Sequence, residues 1–206
     1  MKRAIIGVTG KAGSGKSTLC QAFKQMNCEV MNFADPLKRM LLWGFPGVFC
    51  EETLWGDSEN RNLKVPYFNA TIREVLQKLG TEGMRNQFNK NLWANYTVNY
   101  ANEILSRNLK YNRITGRSTM GSEMYPVEGV VIGDCRFLNE AQAIRESGGY
   151  IVQVTRPSLV SNDTHQSETE MVRIKGDYII VNDSTIGSLH LAAAKVLSSI
   201  NMVAKR

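Results

Sequence analysis

The clearest chemistry in the chain sits near its amino terminus. Gly10-Lys11-Ala12-Gly13-Ser14-Gly15-Lys16-Ser17 matches the pattern G-x-x-x-x-G-K-[ST] at every defined position, and Thr18 follows it. Glycines at 10, 13 and 15 let the main chain wrap with its N–H groups inward and bring no side chain to block a polyphosphate. A helix starting near Lys16 would add unpaired N–H groups and the positive end of its dipole. On this chemistry Lys16 belongs to the β- and γ-phosphates of a nucleoside triphosphate such as ATP, Ser17 offers its hydroxyl to Mg²⁺, and Thr18 touches the α-phosphate. Lys11, Ala12 and Ser14 complete the cradle.

A second set of residues has the chemistry to grip another anion. Asp35 is followed one turn later by Lys38 and Arg39, at the point where substrates bind in doubly wound sheets. Asp35 would serve equally as the cap of the next helix, with Pro36 at its first position. Arg73 and Gln77 are four apart and so share a helical face, and Arg85 follows a glycine-containing turn. A guanidinium's planar fork suits a phosphate dianion, and a glutamine amide can pair with a base edge. The same face, with Arg73 beside Glu74, would also be an ordinary solvated helix surface. Asp134 and Arg136 lie two apart at the end of an apolar run, so both can face a cleft if strand alternation persists. Among Trp43, Trp55, Trp93 and Tyr96, core packing accounts for most, and Trp93 is kept as a base-stacking candidate.

These groups need elements to hold them. Arg3 to Thr9 is a short β-branched apolar run ending in glycines, as a buried parallel strand requires. Leu19, Ala22, Phe23 and Met26 then mark one face of a helix from Ser17 to Gln25, and Glu29 to Phe33 closes a β-α-β unit. Helices are predicted over 37–42, 71–78 and 92–109, with Gly44 to Tyr67 largely loop and Lys110 to Pro126 an exposed excursion. Val127 to Ile132, Tyr150 to Val154 and Asp177 to Val181 are predicted strands. Between the first two lies a helix stopped at Gly148-Gly149, and Ile186 to Ile200 is the last helix. Strands alternating with helices imply an α/β fold: a mostly parallel five-stranded sheet with helices on both faces.

At 206 residues, one domain is expected, with excursions. Hydrophobic content of 43% with 21% charged residues is that of a soluble globular protein. Lys plus Arg number 25 against 19 Asp plus Glu; the net +6 favours an anionic partner, but no basic run points to nucleic acid or a membrane surface. The N-terminal apolar stretch is too short for a signal peptide and no apolar run would span a membrane, so a cytoplasmic protein is expected, in the host cytoplasm if viral. Cys20, Cys28, Cys50 and Cys135 lack CxxC spacing and are expected as buried or free thiols. A homodimer stays open.

The phosphate loop alone does not separate a kinase from a switch or motor. An N-K-x-D base-reading motif is absent, and no ring-ATPase signature accompanies the loop, which at this size favours small-molecule kinases. Phe33-Ala34-Asp35-Pro36-Leu37-Lys38, the run Ile72 to Glu82, Asp134-Cys135-Arg136-Phe137-Leu138-Asn139-Glu140, His165-Gln166-Ser167-Glu168 and Val181-Asn182-Asp183 follow the loop in order. Together they resemble the blocks of bacteriophage-type deoxynucleoside monophosphate kinases, over nearly the whole chain. The resemblance implies a three-layer P-loop NTPase fold and ATP- and Mg²⁺-dependent phosphorylation of a (deoxy)nucleoside 5′-monophosphate. It also implies one domain, 1–206, with a helical monophosphate-binding excursion over about 36–125 and a lid over about 156–172.

By the same resemblance Arg136 goes to the acceptor phosphate, and Asp134 to the Mg²⁺ shell or to orienting the acceptor. Arg156 opens the lid and would stabilise charge on the transferring group, while His165 is a polar lid residue. Asn182 falls in the loop beside the adenine, where a plain turn is equally open. Lys16, Asp134, Arg136 and Arg156 are the catalytic candidates. The alternatives are a P-loop kinase of another phosphorylated metabolite, of phosphomevalonate or dephospho-coenzyme A type, and a non-kinase nucleotide-dependent switch.

Overall fold

All six residues of the first strand, β1 (Ala4–Thr9), are buried, and this run of Ala, Ile and Val forms the middle of the sheet. The structure, a computed structural model, describes residues 3–159 and 166–203. A glycine-rich loop leads from β1 into helix α1 (Lys16–Gln25), and β2 (Cys28–Met31) follows. Then come α2 (Asp35–Gly44), α3 (Glu51–Trp55), a 3-10 turn over Ser58–Asn62, the short strands β3 (Lys64–Val65) and β4 (Ala70–Thr71), and α4 (Ile72–Gln77). A π-helix (Lys78–Phe88), α5 (Leu92–Arg107), β5 (Leu109–Tyr111) and β6 (Ser118–Met120) complete the first part of the chain. The second part runs β7 (Gly129–Ile132), α6 (Leu138–Glu146), β8 (Tyr150–Thr155), α7 (Gln166–Met171), β9 (Tyr178–Val181) and α8 (Ile186–Val203).

The five long-range strands pair in the order β2-β7-β1-β8-β9, every pairing parallel. Alternation along β1 sends Ile6 and Val8 to one face, where they pack with Leu19, Ala22 and Phe23 of α1 and with Leu189, Ala193 and Val196 of α8. Gly7 faces the other way. A methyl group there would sit 2.6 Å from Ile144 of α6, so the missing side chain is what lets that helix lie on the sheet. Helices therefore cover both faces, as the sequence predicts, and each strand of this five-stranded sheet matches its predicted segment to within about two residues, the ordinary uncertainty of an element boundary.

The chain divides into two compact units. One comprises 1–33, 94–111 and 118–206 and contains the sheet; the other comprises 34–93 and 112–117. The second holds its own apolar cluster of Leu41, Phe49, Leu54, Val65, Ile72 and Val75, edged by the rings of Phe45 and Phe68. Two expectations are corrected here. The 44–67 stretch is not largely loop: α3, the 3-10 turn and β3 lie in it, and α3 and β3 supply Leu54 and Val65 to this cluster from elements too short to show a helical period. Nor does the chain turn at the glycines after 78, because it continues as a π-helix to Phe88. The exposed 110–126 excursion carries most of the β5–β6 hairpin. Among the described residues no helix is long and apolar enough to cross a membrane.

Candidate active site

The loop between β1 and α1 is held in shape from within. The Lys16 ammonium donates to the carbonyl of Gly10 and, at 2.8 Å, to that of Lys11, while the Ser14 amide donates to the Lys11 carbonyl at 3.1 Å. Gly10 (φ +145°) and Gly15 (φ +102°) lie where side chains are rarely tolerated. A Cβ at Gly10 would meet the Val154 carbonyl at 2.3 Å, and one at Gly15 the Asn182 amide nitrogen at 2.4 Å. α1 begins at Lys16, so the amides of its first turn lack an intrahelical acceptor and point at whatever the loop binds. Ser17 is exposed and Thr18 half-buried. Ser14 is 1% exposed, and its hydroxyl has no hydrogen-bond partner among the described residues.

Because all sheet pairings are parallel, the strand ends after β2, β7, β8 and β9 share the loop's edge of the sheet. Asp134 follows β7, and its Oδ1 accepts the Phe33 amide at 2.6 Å, tying the ends of neighbouring strands β2 and β7 together. Strand alternation does not carry Asp134 and Arg136 to one side, as the sequence had allowed, since β7 ends at Ile132 and a turn follows. That turn is set by Glu140: its Oε2 accepts the amides of Arg136 at 2.8 Å and Phe137 at 3.0 Å. Arg156 is exposed just beyond β8, its carbonyl accepting the Leu159 amide at 3.0 Å. Asn182 follows β9; its main-chain amide donates to Thr155 and its side-chain amide to the Ser14 carbonyl at 2.8 Å. Of the lid segment, Val160–His165 lies outside the described residues, His165 included.

The remaining candidates belong to the second unit. Asp35 is fully buried and accepts the Trp55 indole N–H at 2.8 Å. It does not cap α2: Ala34 is the cap and Asp35 the first helical residue, its carboxylate drawn instead to the indole. Lys38, 6% exposed, places its ammonium 5.5 Å from the Trp55 ring centroid. Arg39 donates to the Arg113 carbonyl at 3.0 Å. Arg73 and Gln77 are half-buried on α4, and Arg73 bridges to Asn62 Oδ1 at 3.3 Å and the Ser58 carbonyl at 3.2 Å. α4 starts at the capping box legible as T-x-x-E: Thr71 Oγ1 accepts the Glu74 amide, and Glu74 Oε2 accepts that of Thr71. Arg85, 6% exposed, lies on the π-helix, and Trp93 donates its indole N–H to the Gly80 carbonyl at 2.9 Å within this unit.

Comparison with known proteins joins this geometry to a family. A family model for deoxynucleotide monophosphate kinases matches residues 57–192. The chain belongs to the deoxynucleotide monophosphate kinase family. It is 31% identical over 192 residues to a protein of Acanthamoeba polyphaga mimivirus that bears this name provisionally, covering 88% of the chain and 90% of that protein. It is 28% identical over 134 residues to the deoxynucleotide monophosphate kinase of Enterobacteria phage T4, covering 65% of the chain but 46% of the phage protein. A solved structure from Thermus thermophilus, TT1252, has the same fold with a TM-score of 0.51 at 17% identity, covering 97% of this chain and 98% of its own. As a member of the deoxynucleotide monophosphate kinase family the chain is a kinase whose donor is a nucleoside triphosphate. Neither the other metabolite acceptors nor a non-kinase switch is favoured by this membership.

Within this deoxynucleotide kinase-family site, Glu140 is the residue that spacing alone did not single out. Burial, then the charge of Asp134, pushes its carboxyl from the ordinary 4.5 up to about 8, against the opposing pull of the two amides and Arg136. The signal for it was present: a glutamate in the first turn of a helix that opens after a D-x-R turn. The four cysteines are free thiols, and burial drives Cys28 up to about 12. Among the described residues no three His, Cys, Asp or Glu side chains gather as a metal cage. Mg²⁺ needs no such cage, since it keeps most of its waters and takes only one or two protein oxygens, such as a serine hydroxyl and a carboxylate, besides phosphates.

Proposed function

We propose that this chain transfers the γ-phosphoryl group of MgATP to the 5′-phosphate of a deoxynucleoside monophosphate, giving the diphosphate. The supporting observation is a glycine-wrapped loop with Lys16 on its carbonyls, at the sheet edge that also carries Asp134 and Arg136, in a chain of this family. An acceptor phosphate oxygen attacks the γ-phosphorus, the bond to the β-bridging oxygen breaks, and ADP leaves with that electron pair. The acceptor is already an anionic nucleophile, so no strong general base and no covalent intermediate are required.

In this assignment the amides of residues 10–18 and the Lys16 ammonium hold the triphosphate. Ser17 and Asp134 would hold Mg²⁺, which neutralises charge on the phosphates when bound. Arg136 is assigned to the acceptor phosphate; within the other unit Arg73, Arg85, Lys38 and Arg39 are the substrate-side cations, and Gln77, Trp93 and Asp35 are assigned to the nucleoside. Arg156 belongs to a lid over about 156–172 whose closure excludes water and so limits wasteful hydrolysis. The monophosphate-binding excursion is assigned to about 36–125, of which 34–93 and 112–117 form a compact unit of their own and the rest belongs with the sheet.

The test is ADP release from MgATP, followed by a coupled assay, across the common deoxynucleoside and ribonucleoside monophosphates. A subset of the deoxynucleotides accelerating release is the expected outcome. No acceleration by any nucleotide would defeat the assignment of the acceptor.

A further inference from the structure

Asn182 lies 168 positions from Ser14 in sequence, yet its side-chain amide donates to the Ser14 carbonyl at 2.8 Å. The same nitrogen stands 2.4 Å from where a Cβ of Gly15 would be, so it is packed directly against the loop. Asn182 is itself anchored at the end of β9, its main-chain amide on the Thr155 carbonyl at 2.7 Å. A side chain fixed to a strand end thus holds one chosen peptide of the phosphate loop.

Which peptide it holds matters. The Ser14–Gly15 bond is trans, and in a planar trans peptide the C=O and the following N–H point in opposite directions. Holding the Ser14 oxygen outward toward Asn182 therefore turns the Gly15 N–H to the opposite side. Gly15 at φ +102° lacks the steric restraint that would otherwise fix this peptide, so a flip would cost little without an external tie. A flip would aim a carbonyl oxygen where a phosphate needs a donor.

From this geometry we propose that Asn182 is a positioning residue for the phosphate loop: it presets the Gly15 amide toward the polyphosphate and acts without touching the base. The proposal rests on the triphosphate assignment above and deepens it. An amide held in place before binding pays no reorganisation when the anion arrives. The effect of losing the tie should thus track the phosphates of a ligand and be indifferent to its base.

The probe that separates this from a base contact is inorganic tripolyphosphate. Binding of tripolyphosphate, ATP and adenosine would be measured by calorimetry on the wild type, Asn182→Ala and the isosteric Asn182→Asp, whose ionised carboxylate cannot donate. The expected result is a loss of roughly tenfold, the size of one hydrogen bond to a charged group, for ATP and tripolyphosphate alike in both variants. The KM for the deoxynucleotide acceptor should stay unchanged. ATP weakened with tripolyphosphate unaffected would make Asn182 a base contact and overturn the proposal. Unchanged affinities in the folded Asn182→Asp protein would overturn it as well. Failure of the wild type to bind either polyphosphate would instead bring down the triphosphate assignment itself, and this proposal with it.

Discussion

The two units of this chain hold their functional side chains in different ways. In the sheet unit the candidates stand just beyond a parallel strand or in the first turn of the helix that follows, and several are tied to main chain: Lys16 to Gly10 and Lys11, Asp134 to Phe33, Glu140 to Arg136 and Phe137, Asn182 to Ser14. In the other unit the candidates sit on helices and a π-helix, and side chains share the work with carbonyls: Trp55 meets Asp35 and Lys38, Asn62 meets Arg73 and Asn86 meets Arg85, while the carbonyls of Arg113, Ser58 and Gly80 hold Arg39, Arg73 and Trp93. The first arrangement takes its precision from a ladder that five strands share. The second takes it from a small local cluster, which is cheaper to rearrange.

That contrast can be broken at its strongest point by Lys16→Ala. Phosphoryl transfer should fall by at least about a thousandfold, because a fixed cation on the transferring group is lost, while circular dichroism and melting stay near wild type. Substantial residual turnover would remove the loop from the chemistry.

Leu54→Ala attacks the local cluster. Leu54 is fully buried there, and its truncation should cost about 2–5 kcal/mol. Hydrogen exchange should then quicken over 34–93 before it does in β1, β7 and β8. Uniform quickening across both units would contradict the separate character of the second core.

Glu140→Gln probes the sheet unit through pH. The wild-type carboxyl rises from 4.5 to about 8 on folding, so the native state binds this proton more tightly than the unfolded chain. Its contribution to stability is complete below about 4.5 and is lost as pH climbs to about 8. Denaturant melts from pH 4 to 9 should show that decline in the wild type, amounting to a few kcal/mol, and its absence in the glutamine variant. Parallel curves would mean that Glu140 is not buried as described.

Two smaller effects sharpen the contrast from the other side. Arg85→Lys keeps the charge but loses the planar fork, and should raise the acceptor KM about tenfold with the ATP KM unchanged. A change in the ATP value instead would reassign Arg85. Trp93→Phe removes the bond to Gly80 and should cost about 1 kcal/mol, seen as a few-fold loss of protection over 78–88.

The legible parts of this molecule are those whose signal is local in sequence. Strands β1, β7 and β8 announce themselves as apolar runs, α1 and α4 by their three- and four-residue spacing, and the phosphate loop by glycine placement. The parts that were missed depend on contacts between distant residues. Phe49 lies between helices and Leu54 and Val65 fall in elements of a few residues, so no period shows, and only their convergence on Ile72 and Val75 makes a core. Asp35 looks like a cap until the Trp55 indole is seen to occupy its carboxylate.

The amino-acid order by itself determined the sheet, the layers and the triphosphate loop, because hydrophobic period and backbone freedom are written residue by residue. The tertiary structure alone decided that Glu140 sets the Asp134–Arg136 turn and that Asn182 reaches across 168 positions to the Ser14 carbonyl. A hydrogen bond depends on position and direction in space. Those are known only after the strands that carry its two ends have paired.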